Sequence, residues 1–232
     1  MNIKDNVEIV KERIANTQLR SGNITPIKIV AITKTHPASV ILEIRKAGLD
    51  TIGENRVQEA EDKFPEIAEI LPNITKRLVG HLQSNKINKA LNIFDTIDSV
   101  DSLKLANKIG SKEVSLNSTI PILLEVNTSG ESAKYGFIPE NVDEILACFE
   151  IPGLEVQGLM TVGPLTSDIY RVRNAFISLR CLHNSIKSQI TKNVDKFTEL
   201  SMGMSGDFEI AVEEGATMVR LGTVLFGQRM IK

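Results

Sequence analysis

Cysteine is scarce in this 232-residue chain: Cys148 and Cys181 stand alone and far apart, which excludes a disulfide framework and a CxxC metal or redox motif. An excess of one charge is also lacking, since 27 basic and 29 acidic side chains leave a formal charge of -2 without any basic block. That balance argues against a nucleic-acid groove or an anionic membrane surface as partner. There is no low-complexity segment, no short internal repeat and no Pro/Gly-rich linker. The opening MNIKDNVEIVKERI lacks the apolar stretch of a secretory signal. Its Ile3, Val7, Val10 and Ile14 recur at helical spacing, so it reads as a surface helix of a cytoplasmic protein. His, Cys and Asp do not cluster at metal-ligand spacing, and no metal is expected.

What is present is an ordinary globular composition, 42% hydrophobic and 24% charged, with length for one domain or two. Apolar, β-branched runs alternate with amphipathic ones, the signature of βα units and a parallel sheet. Strand candidates span residues 27–33, 50–53, 77–80, 94–100, 120–126, 154–160, 197–201 and 217–222. Segments such as ASVILEIRKAG, NRVQEAEDKF and DIYRVRNAFISLRCLHNSIKSQI carry charge opposite an apolar stripe and read as the intervening helices. Eight such repeats predict an α/β fold, a single (β/α)8 TIM-type barrel with an extra N-terminal helix, forming one domain over residues 1–232.

In a barrel the chemistry sits where strands end, at the C-terminal mouth. The first strand, KIVAIT, closes on Lys34 rather than on a turn residue. A strand-end lysine is commonly a solvated cap, because an amine of pKa about 10.4 is neutral in only about one molecule in 2,500 at pH 7. Its neighbours Ile32, Thr33 and Thr35 supply no carboxylate to hold the ammonium, which permits a Schiff-base role.

The stretch SMGMSGDFEIAVEEGATMVRLGTVLFG, residues 201 to 227, adds two glycine-bearing turns after the seventh and eighth strands, where barrels usually bind phosphate. Gly203 and Gly206 permit close backbone approach, and a helix over 207–214 would aim N–H groups at an anion. Ser201 and Thr223 offer hydroxyls, and Gly222 offers an accessible N–H. A lysine on one side of the mouth and a phosphate cradle on the other describe a phosphorylated carbonyl compound held as an imine.

The motifs AITKTHP (31–37), GENRVQE (53–59), GHLQSNK (80–86), NTSGESAKYGF (127–137), GLMTV (158–162) and the long C-terminal stretch resemble those of the pyridoxal phosphate homeostasis proteins. The barrel of that family is similar to the N-terminal domain of alanine racemase. The resemblance implies pyridoxal 5'-phosphate as the cofactor, an internal aldimine on Lys34, phosphate contacts from Ser201, Gly203, Gly222 and Thr223, and Arg220 facing the pyridine nitrogen. Asn55 and Met160 would line the ring, with His81 nearby. The chain departs from the family before GHLQ, where a Trp-His pair is common and Lys76-Arg77 stands here.

A guanidinium carries only donors, so Arg220 beside an unprotonated pyridine nitrogen weakens the electron sink and argues against a general aminotransferase. Alanine racemases also place arginine there, so a racemase stays open; unpaired with a cofactor, Arg220 would be a rim residue bound to Glu213 or Glu214. The opposite-face tyrosine of those racemases comes from a separate β-rich domain, whereas this sequence ends ten residues after Gly222 and no such domain is expected. The only tyrosines are Tyr135, in the loop after the fifth strand, and Tyr170, expected to face away.

The expected function is therefore a non-catalytic cofactor carrier in vitamin B6 homeostasis, a monomer or weak homodimer that serves recipient apoenzymes. Alternatives are a weakly active pyridoxal-phosphate racemase or lyase, and a lysine-dependent aldolase. His36 reads as a polar loop residue, His183 as a helix-face residue, and Lys86 with Lys89 as a solvated face.

Overall fold

The computed structural model describes residues 2–68, 73–131 and 133–227. Eight parallel strands close into a barrel: β1 (Lys28–Ile32), β2 (Thr51–Glu54), β3 (Thr75–Leu78), β4 (Thr96–Val100), β5 (Ile120–Glu125), β6 (Leu154–Met160), β7 (Glu199–Ser201) and β8 (Met218–Leu221). Each pairs with the next, and β1 pairs with β8 in a register that sets Val30 opposite Arg220. The helices are α1 (Ile3–Ser21), α2 (Ala38–Lys46), α3 (Val57–Lys63), α4 (Pro65–Ala68), α5 (Ile87–Ile93), α6 (Leu103–Ser115), α7 (Val142–Ala147), α8 (Ile169–Lys187), α9 (Phe208–Glu213) and α10 (Thr223–Phe226). The (β/α)8 architecture read from the sequence is the one observed.

The helix preceding β1 shows how local sequence and packing agree. The Asn2 side chain accepts the Asp5 N–H at 2.9 Å to cap the start of α1, and Gly22 ends it in the left-handed region at φ 69°. Its buried stripe of Val7, Val10, Ile14 and Thr17 faces α9 and α10, with Asn6 Nδ2 donating to the Leu225 carbonyl at 2.8 Å. Arg13 stacks over the Phe208 ring and pairs with Glu209, so α1 buttresses the two short helices that follow β7 and β8.

Three strand starts move by two residues from expectation, the fourth among them, from 94 to Thr96. The third strand runs 75–78 rather than 77–80, which places Lys76 and Arg77 within it. The seventh starts at Glu199 because a turn holds Phe197, whose N–H bonds to the Asn193 carbonyl. His183, read as a helix-face residue, lies on the buried face of α8; its ring stacks on Phe197 at 4.4 Å, and burial pushes its pKa down to about 4.

The barrel interior is charged as well as apolar. Arg77 of β3, 3% exposed, donates from Nε to Asp98 of β4 at 2.7 Å, and Thr96 bonds the same carboxylate. This pair accommodates the departure at residues 76–77 without opening the barrel. The β3 end is also fitted to its neighbour: a Cβ on Gly80 would lie 2.3 Å from the Asn55 carbonyl oxygen, so only glycine lets the two strand ends meet.

Candidate functional site

At the barrel mouth, a cavity of about 230 Å³ is lined by residues from three strand ends: Lys34 and His36 after β1, Met204, Ser205 and Gly206 after β7, and Arg220, Gly222 and Thr223 at the end of β8. A bigger space of about 780 Å³ lies elsewhere, between α3, α5 and the starts of β3 and β4. Its walls include Phe64, Ile67, Ile74 and Phe94 and none of the strand-end residues above, so the smaller cavity is the chemical candidate despite its size.

Arg220 forms the cavity floor. It crosses the barrel interior, donating from Nη1 to the Ser201 carbonyl and hydroxyl oxygens, both at 2.8 Å, and from Nη2 to the Thr161 carbonyl at 2.7 Å. Its Nε carries no protein acceptor among the described residues. Burial pulls its pKa below the usual arginine value, opposed by the charges of Asp98, Glu125 and Asp207, and a guanidinium stays protonated nonetheless. The rim partners considered for it are taken: Arg173 pairs with both Glu213 and Glu214 at 2.5 Å.

On the β7–β8 side, Asp207 stands at the start of α9 without capping it, its side chain turned back to the preceding loop. The Asp207 carboxylate accepts the Met204 N–H at 2.5 Å, and burial raises its pKa while Arg220 opposes the rise. The N–H groups beside the cavity are instead those of Gly222 and Val224 at the start of α10, and both donate to the Ser205 hydroxyl at 3.2 Å. Gly203 turns the chain between the two strands at φ 91°, with its Cβ position facing Ala211 at 2.6 Å.

Of the residues expected at the site, Lys34, Arg220, Gly222 and Thr223 line this cavity. Ser201, expected at a phosphate, is fully buried beneath it and serves as an Arg220 acceptor; the serine beside Gly222 and Thr223 is Ser205. Gly203 packs against α9 rather than lining the cavity, and Met160 is buried in β6 opposite Ser201. Asn55 sits against Gly80. His81 occupies the β3 side of the mouth, where its Nδ1 lies 2.9 Å from Asp101 Oδ2 and its ring stacks on Tyr135 at 4.0 Å.

Glu125, at the end of β5, escaped sequence reasoning: burial pushes its pKa up to about 7, against Arg220 and His81 and with Asp101 adding to the rise. Tyr170 is exposed, as expected. Among the described residues no group of three or more His, Cys, Asp or Glu is placed to hold a metal, and no helix is long and apolar enough to cross a membrane.

Comparison with known proteins gives a consistent assignment. The family model for the alanine racemase N-terminal domain matches residues 2–230. A pyridoxal phosphate homeostasis protein of Aquifex aeolicus is 38% identical over 231 residues, 99% of each chain. One from Homo sapiens is 36% identical over 233 residues, covering 95% of this chain and 84% of the relative. The structure of PipY from Synechococcus elongatus with PLP bound aligns with TM-score 0.79 at 35% identity, covering 92% of this chain and all of that one, 100%.

Proposed function

The chain belongs to the alanine racemase N-terminal-domain family, among its pyridoxal phosphate homeostasis proteins, and from that premise we propose that it holds pyridoxal 5'-phosphate as a Schiff base on Lys34 and acts as a carrier without substrate turnover. One observation carries the reading: a lysine, an arginine and a serine-capped pair of backbone N–H groups meet at one small cavity.

The fit can be tested on that geometry. The Ser205 oxygen already accepts two N–H groups at the start of α10, as a phosphate oxygen would, and Gly206 beside it has open space where a Cβ would stand. A cavity of about 230 Å³ matches a single ring with one phosphate better than a larger ligand. Ser205, Gly222 and Thr223 would bind the phosphate, Lys34 the aldehyde carbon, and Arg220 the ring nitrogen through Nε. When bound, the cofactor supplies an aldehyde that condenses with amines and a ring that withdraws electrons. Arg220, a donor fixed by three acceptor oxygens, keeps the ring nitrogen unprotonated and so limits that withdrawal. Asn55 beside Gly80, His81 on the β3 side and Met160 buried in β6 lie outside the cavity lining, and on this reading they would border the ring from the β2, β3 and β6 sides.

On the same reading the barrel is one cofactor-binding domain, working in the cytoplasm as a monomer or weak homodimer, with apoenzymes as recipients. The racemase or lyase alternative has one observation in its favour: Tyr135 lies against His81, which Asp101 orients, so an acid/base group is available on the β3–β5 side. Solvent deuterium incorporation into alanine and other amino acids by cofactor-loaded protein separates the two. The carrier reading expects no turnover in the enzyme range; rates on the order of 1 s⁻¹ that vanish in Tyr135→Phe contradict it.

A further inference from the structure

Thr35, the residue after Lys34, adopts φ 66°, a left-handed conformation that β-branched side chains rarely take. Such a conformation persists only where surrounding groups over-determine it. Here they do. The Glu59 carboxylate accepts the Thr35 N–H, and the Lys63 ammonium donates to the Thr33 carbonyl at 2.9 Å. The Thr33 hydroxyl donates to Glu54 Oε1 at 2.7 Å. Lys63 then ties the two carboxylates together, at 2.6 Å to Glu54 and 3.0 Å to Glu59.

We propose that Glu54, Glu59 and Lys63 form a clamp that positions Lys34 by gripping both residues that flank it, and that this clamp sets how long the lysine keeps its covalent partner. The inference rests on the Schiff-base reading above.

The anatomy favours a dedicated device over incidental packing. Glu54 ends β2, while Glu59 and Lys63 lie one turn apart on α3, so the grip on the β1 loop comes from the neighbouring βα unit. Glu54 and Lys63 are 0% and 6% exposed at their side chains, where charge pairs are strong and poorly screened by solvent. A Glu54–Lys63 pair alone would only tie α3 to the end of β2. The additional bonds go to the Thr33 carbonyl and hydroxyl and the Thr35 N–H, the groups that bracket Lys34. Glu54 Oε2 stays buried without a partner, so the carboxyl is oriented by its bonded oxygen alone.

Release of the cofactor requires water to break the C=N bond, returning the aldehyde and the free Lys34 amine. A loosened turn lets the linkage leave the geometry in which it is shielded, so release accelerates. The test loads wild-type and variant proteins with pyridoxal phosphate and follows transfer of the released aldehyde to a scavenging hydroxylamine, well below each protein's thermal midpoint. Glu59→Ala should speed release about tenfold, the scale of a freed strained residue. Glu59→Gln keeps a carbonyl acceptor for the Thr35 N–H and should stay within about twofold of wild type. Adding Thr35→Asn to Glu59→Ala should restore most of the lifetime, because asparagine accepts the left-handed conformation.

Wild-type protein that traps no pyridoxal phosphate on Lys34 overturns the functional reading and the clamp together. Wild type that traps it while Glu59→Ala releases it at the same rate overturns the clamp alone. So does a Glu59→Gln rate that rises as far as that of Glu59→Ala, since loss of charge without loss of the Thr35 bond would then explain the effect.

Discussion

Two arginines are buried inside the same barrel and live differently. Arg77 on β3 meets a carboxylate, Asp98, at 2.7 Å; burial works to lower its pKa, but the charge and hydrogen bond of Asp98 outweigh it and the pKa rises. Arg220 on β8 meets carbonyl and hydroxyl oxygens, and burial prevails, pulling its pKa down. The first is a closed pair whose charge is cancelled where it stands. The second has its shape fixed by neutral acceptors while its charge is left for the cavity above. Binding sites need that second arrangement, because a guanidinium locked to a carboxylate has little left to give a ligand.

The sharpest way to break the contrast is to remove one partner from each side. Asp98→Ala leaves Arg77 charged, buried and unpaired, and urea unfolding should show a loss of about 3–5 kcal/mol. Replacing both Arg77 and Asp98 by apolar residues of similar size should recover most of that loss.

The carboxylates around Arg220 predict a pH effect. Glu125, half-buried at the end of β5, has its pKa pushed up from 4.5 to about 7, because desolvation outweighs the compensation from Arg220. A raised carboxyl pKa means the folded state binds the proton more tightly, so this contribution is full below pH 4.5 and is lost as pH rises through 7. Glu125→Gln should therefore stabilise cofactor-free protein by about 3 kcal/mol at pH 8 and by little at pH 4.5. An equal effect at both pH values would mean that Glu125 is not the titrating group.

The two serines give the smallest and most discriminating test. Ser205→Ala should weaken pyridoxal phosphate binding by about 1.5–3 kcal/mol, the scale of a hydrogen bond to a charged group. Ser201→Ala removes one acceptor of Arg220 but leaves the Ser201 carbonyl, and should cost about 1 kcal/mol of folding stability with a smaller change in affinity. Reversed effects would move the phosphate to Ser201.

The serines also mark where sequence reading stops. The barrel was legible because its strands are short β-branched runs between amphipathic segments, and LEVQGLM was placed to the residue. Lys34, Arg220, Gly222 and Thr223 were legible because strand ends and glycine turns locate a barrel mouth. Which serine of SMGMS reaches the cavity was not, since the left-handed turn at Gly203 redirects the chain between them. Nor was the clamp: Glu59 and Lys63 have the spacing of a solvated helix face, and only the closure of β1 on β2 buries Lys63. Arg77 stood out as a departure from the family, and its partner twenty-one residues away became visible only once β3 and β4 were paired.

Borohydride reduction of the protein with pyridoxal phosphate shows directly whether Lys34 holds the cofactor. Reduction makes the linkage permanent, and peptide mapping then identifies the lysine. A single phosphopyridoxyl group is expected on the peptide containing Lys34, and none in Lys34→Ala. The same group on a different lysine, or undiminished labelling of Lys34→Ala, would contradict that assignment.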